Sequence, residues 1–402
     1  MIVLQLKEPF RFVYGTFFEI PRVLLRIEVE SDSATYIGWG EAAIDFPFVP
    51  YDMFDIYDAL SEAARRISGI NLESVSHVLR STPLEFLKAI PAAQCALNMA
   101  LDDVVSRSEG VGAVRLYSAN RAAGVPLCSV GFDQLQSPAV WSTLPGVIKL
   151  KAGQNLQSDL ANIRAAQTLA NKTQKQYAVD FNAAYNLEEV FALVDGLRTN
   201  AWTSESCIAW EQPLHADATL NDWKRLIDKL TTFPVPPTLI ADESFISANA
   251  GQQLVDCGVG LNYKIQKLGG ICAVLDLEEA ISRAAVKSFV GGTFPSPLGR
   301  AYDTLAGQVI TSATLPGDGF LPASTYLSDA CMAAFAVSSD GVGLGVQPVA
   351  DVLTRWIVAD PKEEFYRIRT DHAPRQIKMV INGSYAERYQ ERCGRTPLWN
   401  MT

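Results

Sequence analysis

Two hydrophobic periods divide the chain. Near the N-terminus, apolar and polar residues alternate through Val23-Leu24-Leu25-Arg26-Ile27-Glu28-Val29 and again through Tyr36-Ile37-Gly38-Trp39-Gly40, the two-residue period of strands. Helical spacing follows from about Met53 to Gly110, where AAQCALNMALDDVV sets apolar residues three and four apart. Strands first and helices after predict an α+β unit over residues 1–125. From about Val125 the text becomes short apolar runs divided by amphipathic stretches: LCSVGF, GVIKLKA, YAVDFN, CIAWEQP, TLIADES, LNYKIQK and KSFVGGTF. Such alternation predicts an α/β architecture over residues 126–345, with a parallel sheet covered on both faces. The pattern then stops, and residues 346–402 hold one more strand-like run, RQIKMVING, and a polar finish.

The α/β region is regularly spaced. Lys149, Asp180, Glu211 and Asp242 follow one another at intervals of 31 residues, about the length of one βα unit, so each stands at the same place in successive units. That place is the end of a strand. A polar group buried in a parallel strand costs roughly several kcal/mol unless it is paired or bound to metal. Yet consecutive strand candidates end in Lys149 and Lys151, in Asp180 and Asn182, in Glu211, in Asp242 and Glu243, and in Lys264. In a barrel all C-terminal strand ends open onto one mouth, where active sites lie. These groups therefore converge on one pocket.

Composition narrows the classes. A chain of 402 residues that is 48% hydrophobic has ample material for one large barrel with an accessory domain. Charged residues make up 19%, the net charge is −10, and no Lys/Arg-rich run is present, which argues against nucleic acid or a membrane surface as partner. The seven cysteines are scattered without C-x-x-C spacing, as expected of reduced thiols in a cytoplasm. MIVLQLKEPFRF is too short an apolar start for a signal peptide, and no stretch approaches the ~18 apolar residues of a membrane span.

Three carboxylates from neighbouring strands, with no His or Cys beside them, make an all-oxygen site for a hard cation. Magnesium fits best, with manganese as a substitute, because three protein ligands leave octahedral positions for water and a substrate carboxylate. Such a metal stabilises the enediolate formed when a proton leaves the carbon beside a carboxylate. Lys149 and Lys151, two apart on a strand, point to the same side roughly 6 to 7 Å apart. Each positive charge disfavours protonation of the other, which allows one to be neutral and to act as a base. Lys264 lies beyond the carboxylate trio and would approach the substrate from the opposite face.

The ordered set resembles the enolase superfamily, specifically its muconate-lactonizing subgroup. The K-x-K is Lys149-Leu150-Lys151; the metal ligands match Asp180, Glu211 and Asp242 within VDFN, EQP and ADES; the partner lysine matches Lys264 in YKIQKLGGI. The resemblance covers most of the chain, including GWGEA, ALNMALDD, GGTF, PLGRA and GVGLGVQP. It implies a (β/α)7β TIM-like barrel capped by an α+β domain built from the N-terminal third and the returning tail. It also implies Lys151 and Lys264 as the acid/base pair, and loops near residues 14–20 and 45–52 closing over the substrate. Tyr14, Phe17, Phe18, Phe46, Phe48 and Tyr51 would make that lid aromatic and favour large hydrophobic acids. VDFNAAYNLEE and TLPGDG resemble o-succinylbenzoate synthases and N-acylamino acid racemases. Dipeptide epimerases of the subgroup usually carry D-x-D to hold the substrate ammonium, where this chain has Pro316-Gly317-Asp318. After GG, where relatives carry a glutamate, it reads Thr293-Phe294-Pro295-Ser296.

Other readings stay open on the residues alone. The three acids also suit helix N-caps after strands, Lys267 reads as a solvated helix-start residue, and Asn182 and Glu243 as support behind the ligands. A Schiff-base aldolase would use one barrel lysine on a carbonyl but leaves the carboxylates unexplained. A non-catalytic descendant that binds a small acid is kept open by the altered segment after GG. The expected partner is a small carboxylate-bearing substrate, and a homo-oligomer is compatible with the sequence.

Overall fold

The computed structural model describes residues 1–353 apart from positions 14, 32–33, 45–48, 70–83, 118–120, 123, 131–137, 199–201, 203 and 282–285, together with strands at 377–381 and 399–401. β1 (Ile2–Phe12), β2 (Gly15–Glu30) and β3 (Thr35–Ala42) pair antiparallel in sequence. The strand Ile377–Ile381 adds antiparallel to β2, with Met379 opposite Phe17, and Trp399–Met401 pairs parallel beside it. The tail thus returns to the N-terminal sheet. Residues 15–20, expected in a lid loop, lie instead inside β2.

Two helices back this sheet, α1 (Met53–Ile67) and α2 (Pro91–Ser108). Asp52 starts α1 with a capping box, accepting from the amides of Phe54 and Asp55 while the Asp52 amide donates to the Asp55 side chain. The glycines of GWGEA are required by packing. A Cβ at Gly40 would lie 1.9 Å from the Ala96 carbonyl oxygen, and one at Gly38 2.2 Å from that of Ala100, so β3 presses directly on α2.

The second body is the parallel sheet. β4 (Leu127–Val130), β5 (Val147–Lys151), β6 (Tyr177–Asp180), β7 (Cys207–Glu211), β8 (Thr238–Ala241) and β9 (Gly260–Leu261) are bonded in that order. Parallel bridges Asn262 to Phe289, Ser288 to Ala313 and Gly317 to Pro126 carry the pairing around to β4, closing the ring. Helices follow the strands throughout, including Leu156–Thr173, Leu187–Arg198, Leu220–Leu230 and Pro297–Val309. Their inward stripes are apolar: Leu187–Arg198 buries Leu187, Val190, Leu193, Val194 and Leu197. Among the described residues no helix is long and apolar enough to cross a membrane.

The barrel interior has two layers. Leu127, Val147, Ala178, Ala209 and Ile240, from β4 to β8, form one buried apolar cluster with Phe289, which bridges to Asn262 just past β9. Two residues further along, on the same face by the period of a strand, come Ser129, Lys149, Asp180, Glu211 and Asp242. The ionic layer thus rests directly on an apolar floor.

Candidate active site

Strand register aligns the ionic layer. Lys151 stands opposite Asp180, and Asp180 opposite Glu211. Asp242 lies just past β8, where Gln212 at the end of β7 fixes it. The Gln212 side-chain oxygen accepts from the amides of Asp242 at 2.9 Å and Ser244 at 3.1 Å, while its nitrogen donates to Leu214 O at 2.8 Å. That tether explains the glutamine of EQP. Gln212, Asn182 and Phe294 all adopt positive φ (38°, 47° and 55°), a cost that non-glycine residues sustain where the surroundings dictate it.

Four ammonium groups sit on the three acids. Lys149 Nζ lies 2.9 Å from Glu211 Oε2, 2.7 Å from Asp318 Oδ2 and 3.5 Å from Asp180 Oδ2. Lys151 Nζ is 2.5 Å from Asp180 Oδ2. Lys264 and Lys267 each approach one oxygen of Asp242 at 2.7 Å. Lys267 is therefore not the solvated helix-start residue expected: its side chain is 7% exposed and also donates to the Asp242 carbonyl. The short helix Ile265–Leu268 turns it, three residues on, to the same side as Lys264.

These pairings set the charge states. Burial works against charge on Lys149, but Asp318, Glu211 and Asp180 outweigh it and hold the ammonium well above the ordinary lysine range. Lys149 is thus a fixed cation, and the neutral partner expected of the K-x-K pair is not Lys149. Burial would lift Asp180, yet Lys151 and Lys149 hold it below the usual carboxylate value. Asp242, equally buried, is held down by Lys264 and Lys267. Glu211 goes the other way, pushed up to about 8 by burial and by Asp180, with Lys149 opposing. Asn262 Nδ2 donates to Glu211 Oε1 at 2.6 Å.

A cavity of about 390 Å³ opens above this layer and under the N-terminal sheet. Lys149, Lys151, Asp180, Asn182, Glu211, Glu243, Lys264, Thr293, Phe294 and Asp318 all line it. Asn182 donates its amide to Asp180 Oδ1 at 3.0 Å and its side-chain nitrogen to Glu243 at 3.4 Å. Asp242 lies beneath the lining. Tyr14 and Phe46 fall outside the described residues. Phe18 does not line the cavity: successive residues of a strand face opposite ways, and it is Phe17 that reaches the wall. Tyr51 is buried instead with Met53, Ile56 and Leu60 in the core between α1 and the sheet.

Several functional residues escaped the sequence reading. Arg22 of β2 is 1% exposed, meets Glu41 Oε1 at 3.2 Å, and donates to the carbonyls of Thr293 and Phe294. Glu41, in GWGEA, also accepts from the Ser296 amide at 3.0 Å. Arg300, in PLGRA, donates to the Asp318 carbonyl at 2.6 Å. A cation set among the apolar neighbours Ile20-Pro21 and Val23-Leu24-Leu25 was the available signal for Arg22; the other two lay inside motifs whose roles were unassigned.

Against this geometry the comparisons are specific. Residues 141–352, more than half of the chain, match the family described as enolase C-terminal domain-like. The chain belongs to this family. It is an enzyme of the enolase superfamily, of the racemase, epimerase or cycloisomerase kind. A hydrophobic dipeptide epimerase of Citrifermentans bemidjiense is 24% identical over 85% of this chain and 94% of its own length. An N-succinyl-L-Arg/Lys racemase of Bacillus cereus is 22% identical over 79% of this chain and 85% of its own. The solved dipeptide epimerase of Enterococcus faecalis, complexed with Mg and the dipeptide L-Leu-L-Tyr, superposes with a TM-score of 0.72 at 19% identity, covering 86% of this chain and 97% of that one. That likeness confirms the capped-barrel fold.

Proposed function

We propose that this enzyme racemises or epimerises N-acylated α-amino acids by moving the proton next to the substrate carboxylate, with Mg²⁺, or Mn²⁺, held by Asp180, Glu211 and Asp242. The observation that carries this reading is the order of the mouth: Lys151 on β5 and Lys264 after β9 flank, on opposite sides, the three strands that end in acids. Such flanking permits removal of a proton on one face and delivery on the other.

The donor set suits a hard divalent ion, being all oxygen, buried and mutually repelling. Among the described residues no three acidic, cysteine or histidine side chains are already drawn together around one point; lysine ammoniums stand on the acids instead. Asp180, Glu211 and Asp242 would hold the ion, and Lys151 and Lys264, no longer needed to neutralise Asp180 and Asp242, would be available to the substrate. When bound, it supplies positive charge against the negative charge that builds on the substrate carboxylate as the neighbouring carbon loses its proton. Lys149, fixed between Glu211 and Asp318, adds a permanent cation on the same side as Lys151. Asn182 and Glu243 steady the ends of β6 and β8. The N-terminal sheet lines the cavity opposite the acids, through Phe17, Ile20 and Arg22. The cysteines among the described residues are free thiols, which supports a cytoplasmic location for this small-molecule catalyst.

A dipeptide is an N-acylated amino acid whose acyl group carries an amine, and the relatives named as dipeptide epimerases favour it as the second reading. Asp318 weakens it: one oxygen binds Lys149 and the other accepts from the Gly292 amide at 3.0 Å, leaving little for a substrate ammonium. A Schiff-base aldolase would leave the acid trio without a role.

Exchange in D₂O tests the proposal. With N-acetyl amino acids and Mg²⁺, deuterium is expected at the reacting carbon by NMR. Lys151→Ala and Lys264→Ala should each lower turnover by about 10²- to 10⁴-fold, the range a positioned base supplies. Exchange that proceeds unchanged without both lysines would overturn it.

A further inference from the structure

We infer that Phe294, backed by Phe10 and Tyr326, is the specificity-determining wall of the cavity and selects N-acyl amino acids that carry an aromatic ring. The inference rests on the proton-transfer reading above and narrows it to a substrate class. The three rings form one continuous surface. Phe10 and Phe294 stack edge to face with centroids 4.8 Å apart, Phe294 and Tyr326 at 5.5 Å, and all three line the cavity. Aromatic pairs of this kind add about 0.5 to 1.5 kcal/mol beyond the area they bury, and a ligand ring can extend the series.

The wall is also held still. Phe294 has φ +55°, an unfavourable conformation for an aromatic residue. Arg22 enforces it by donating to the carbonyls of Thr293 and Phe294, while Glu41 holds Ser296 from the same side. Phe10 is fixed to the opposite body of the molecule: β1 bridges Leu6 to Leu327, and the Lys7 amide donates to the Tyr326 carbonyl at 2.9 Å. The Tyr326 hydroxyl donates to Pro295 O at 2.6 Å and accepts from Arg300 at 3.1 Å. Rings contributed by two bodies and clamped from both sides discriminate better than a mobile lid, because little ordering entropy is lost when a ligand docks. Asp180, Glu211 and the lysines occupy the floor of the same cavity, so a substrate whose carboxylate lies at the acids presents its far substituent to this wall.

The test compares kcat/KM for α-proton exchange on N-acetylalanine, N-acetylphenylalanine and N-benzoylalanine. The wild type should favour at least one ring-bearing substrate over N-acetylalanine by tenfold or more, in the range that pocket contacts of a few methylenes supply. Phe294→Ala should erase about tenfold of that preference, chiefly through KM, lowering kcat/KM on the ring-bearing substrates by more than on N-acetylalanine; Phe10→Ala should shift it in the same direction. Phe294→Leu, which keeps an apolar wall, guards against a folding defect and should retain part of the preference. A wild type that exchanges all three substrates equally, or a preference untouched in Phe294→Ala and Phe10→Ala, overturns the inference while leaving the proposed function standing. No exchange on any of the three overturns both.

Discussion

On β5, Val147 and Lys149 point the same way, two residues apart, and serve opposite ends. Val147 belongs to the apolar floor with Ala178, Ala209 and Ile240. Lys149 belongs to the ionic layer with Asp180 and Glu211. Both layers are buried, so the difference is not exposure but how the interior is made tolerable to what it holds. The floor needs no partners and gains stability from removal of apolar surface from water. In the mouth, every charge must be matched by another, and a matched set of buried ions seldom stabilises more than the apolar side chains it displaces. The barrel floor supports the fold; the mouth is supported by it.

The largest effect should come from removing the central cation. Lys149→Met keeps the volume but leaves Glu211, Asp318 and Asp180 facing one another, and stripping one partner from a buried ionic set costs roughly 3 to 5 kcal/mol. The unfolding free energy from denaturant titration should fall by that amount, and exchange activity by about 10²- to 10³-fold, because the fixed cation beside the reacting carboxylate is lost. Stability that does not change would mean that the mouth does not depend on Lys149 for its balance.

A floor substitution should separate the two properties. Ile240 is fully buried, and Ile240→Ala should cost about 2 to 5 kcal/mol through lost transfer energy and the cavity left behind. Turnover per folded molecule should stay within a few-fold of wild type. If Ile240→Ala instead removes catalysis at full folding, the layers are not separable and the floor positions the lysines directly.

Much of this contrast was legible in the text. The 31-residue spacing and the polar residues ending apolar runs located the mouth, because a βα unit has a nearly constant length and a buried charge must have a reason. The seventh strand was visible in KSFVGGTF, but the segment that closes the ring at Ala313 and Gly317 lies in text that reads as a turn and pairs only by isolated bridges. Lys267 was misplaced because a helix start was read as solvent-facing, although three residues from Lys264 on a helix means one shared face. Phe17 and Phe18 both read as lid residues, yet of the two Phe17 faces the cavity. A one-residue difference reverses a strand's faces, and the register of β1 on β2 shifts between Gln5 and Phe10, which no local pattern reveals. Arg22 and Glu41 join strands to a segment more than 250 residues away, and their pairing exists only in the fold.

A buried carboxylate outside the mouth sharpens the comparison, with a smaller effect. Asp102 of α2 lies at the seam between the N-terminal body and the barrel, where it accepts from Tyr117 at 2.6 Å, Tyr302 at 2.8 Å and Asn98 at 3.2 Å. All three donors are neutral, and burial pushes its carboxyl up to about 7, whereas lysines hold the equally buried Asp180 down. A carboxyl raised in the folded state keeps its proton there after the unfolded chain has lost it, so its contribution is full below pH ~4 and fades as pH rises toward 7. The loss over that window is at most about 4 kcal/mol. Asp102→Asn cannot ionise, so the stability difference between variant and wild type should grow in the variant's favour from pH 4 to 7 and level off above 8. Denaturation of both proteins across that range measures it directly, and parallel curves would mean that the seam supplies Asp102 with more positive potential than its neutral donors account for.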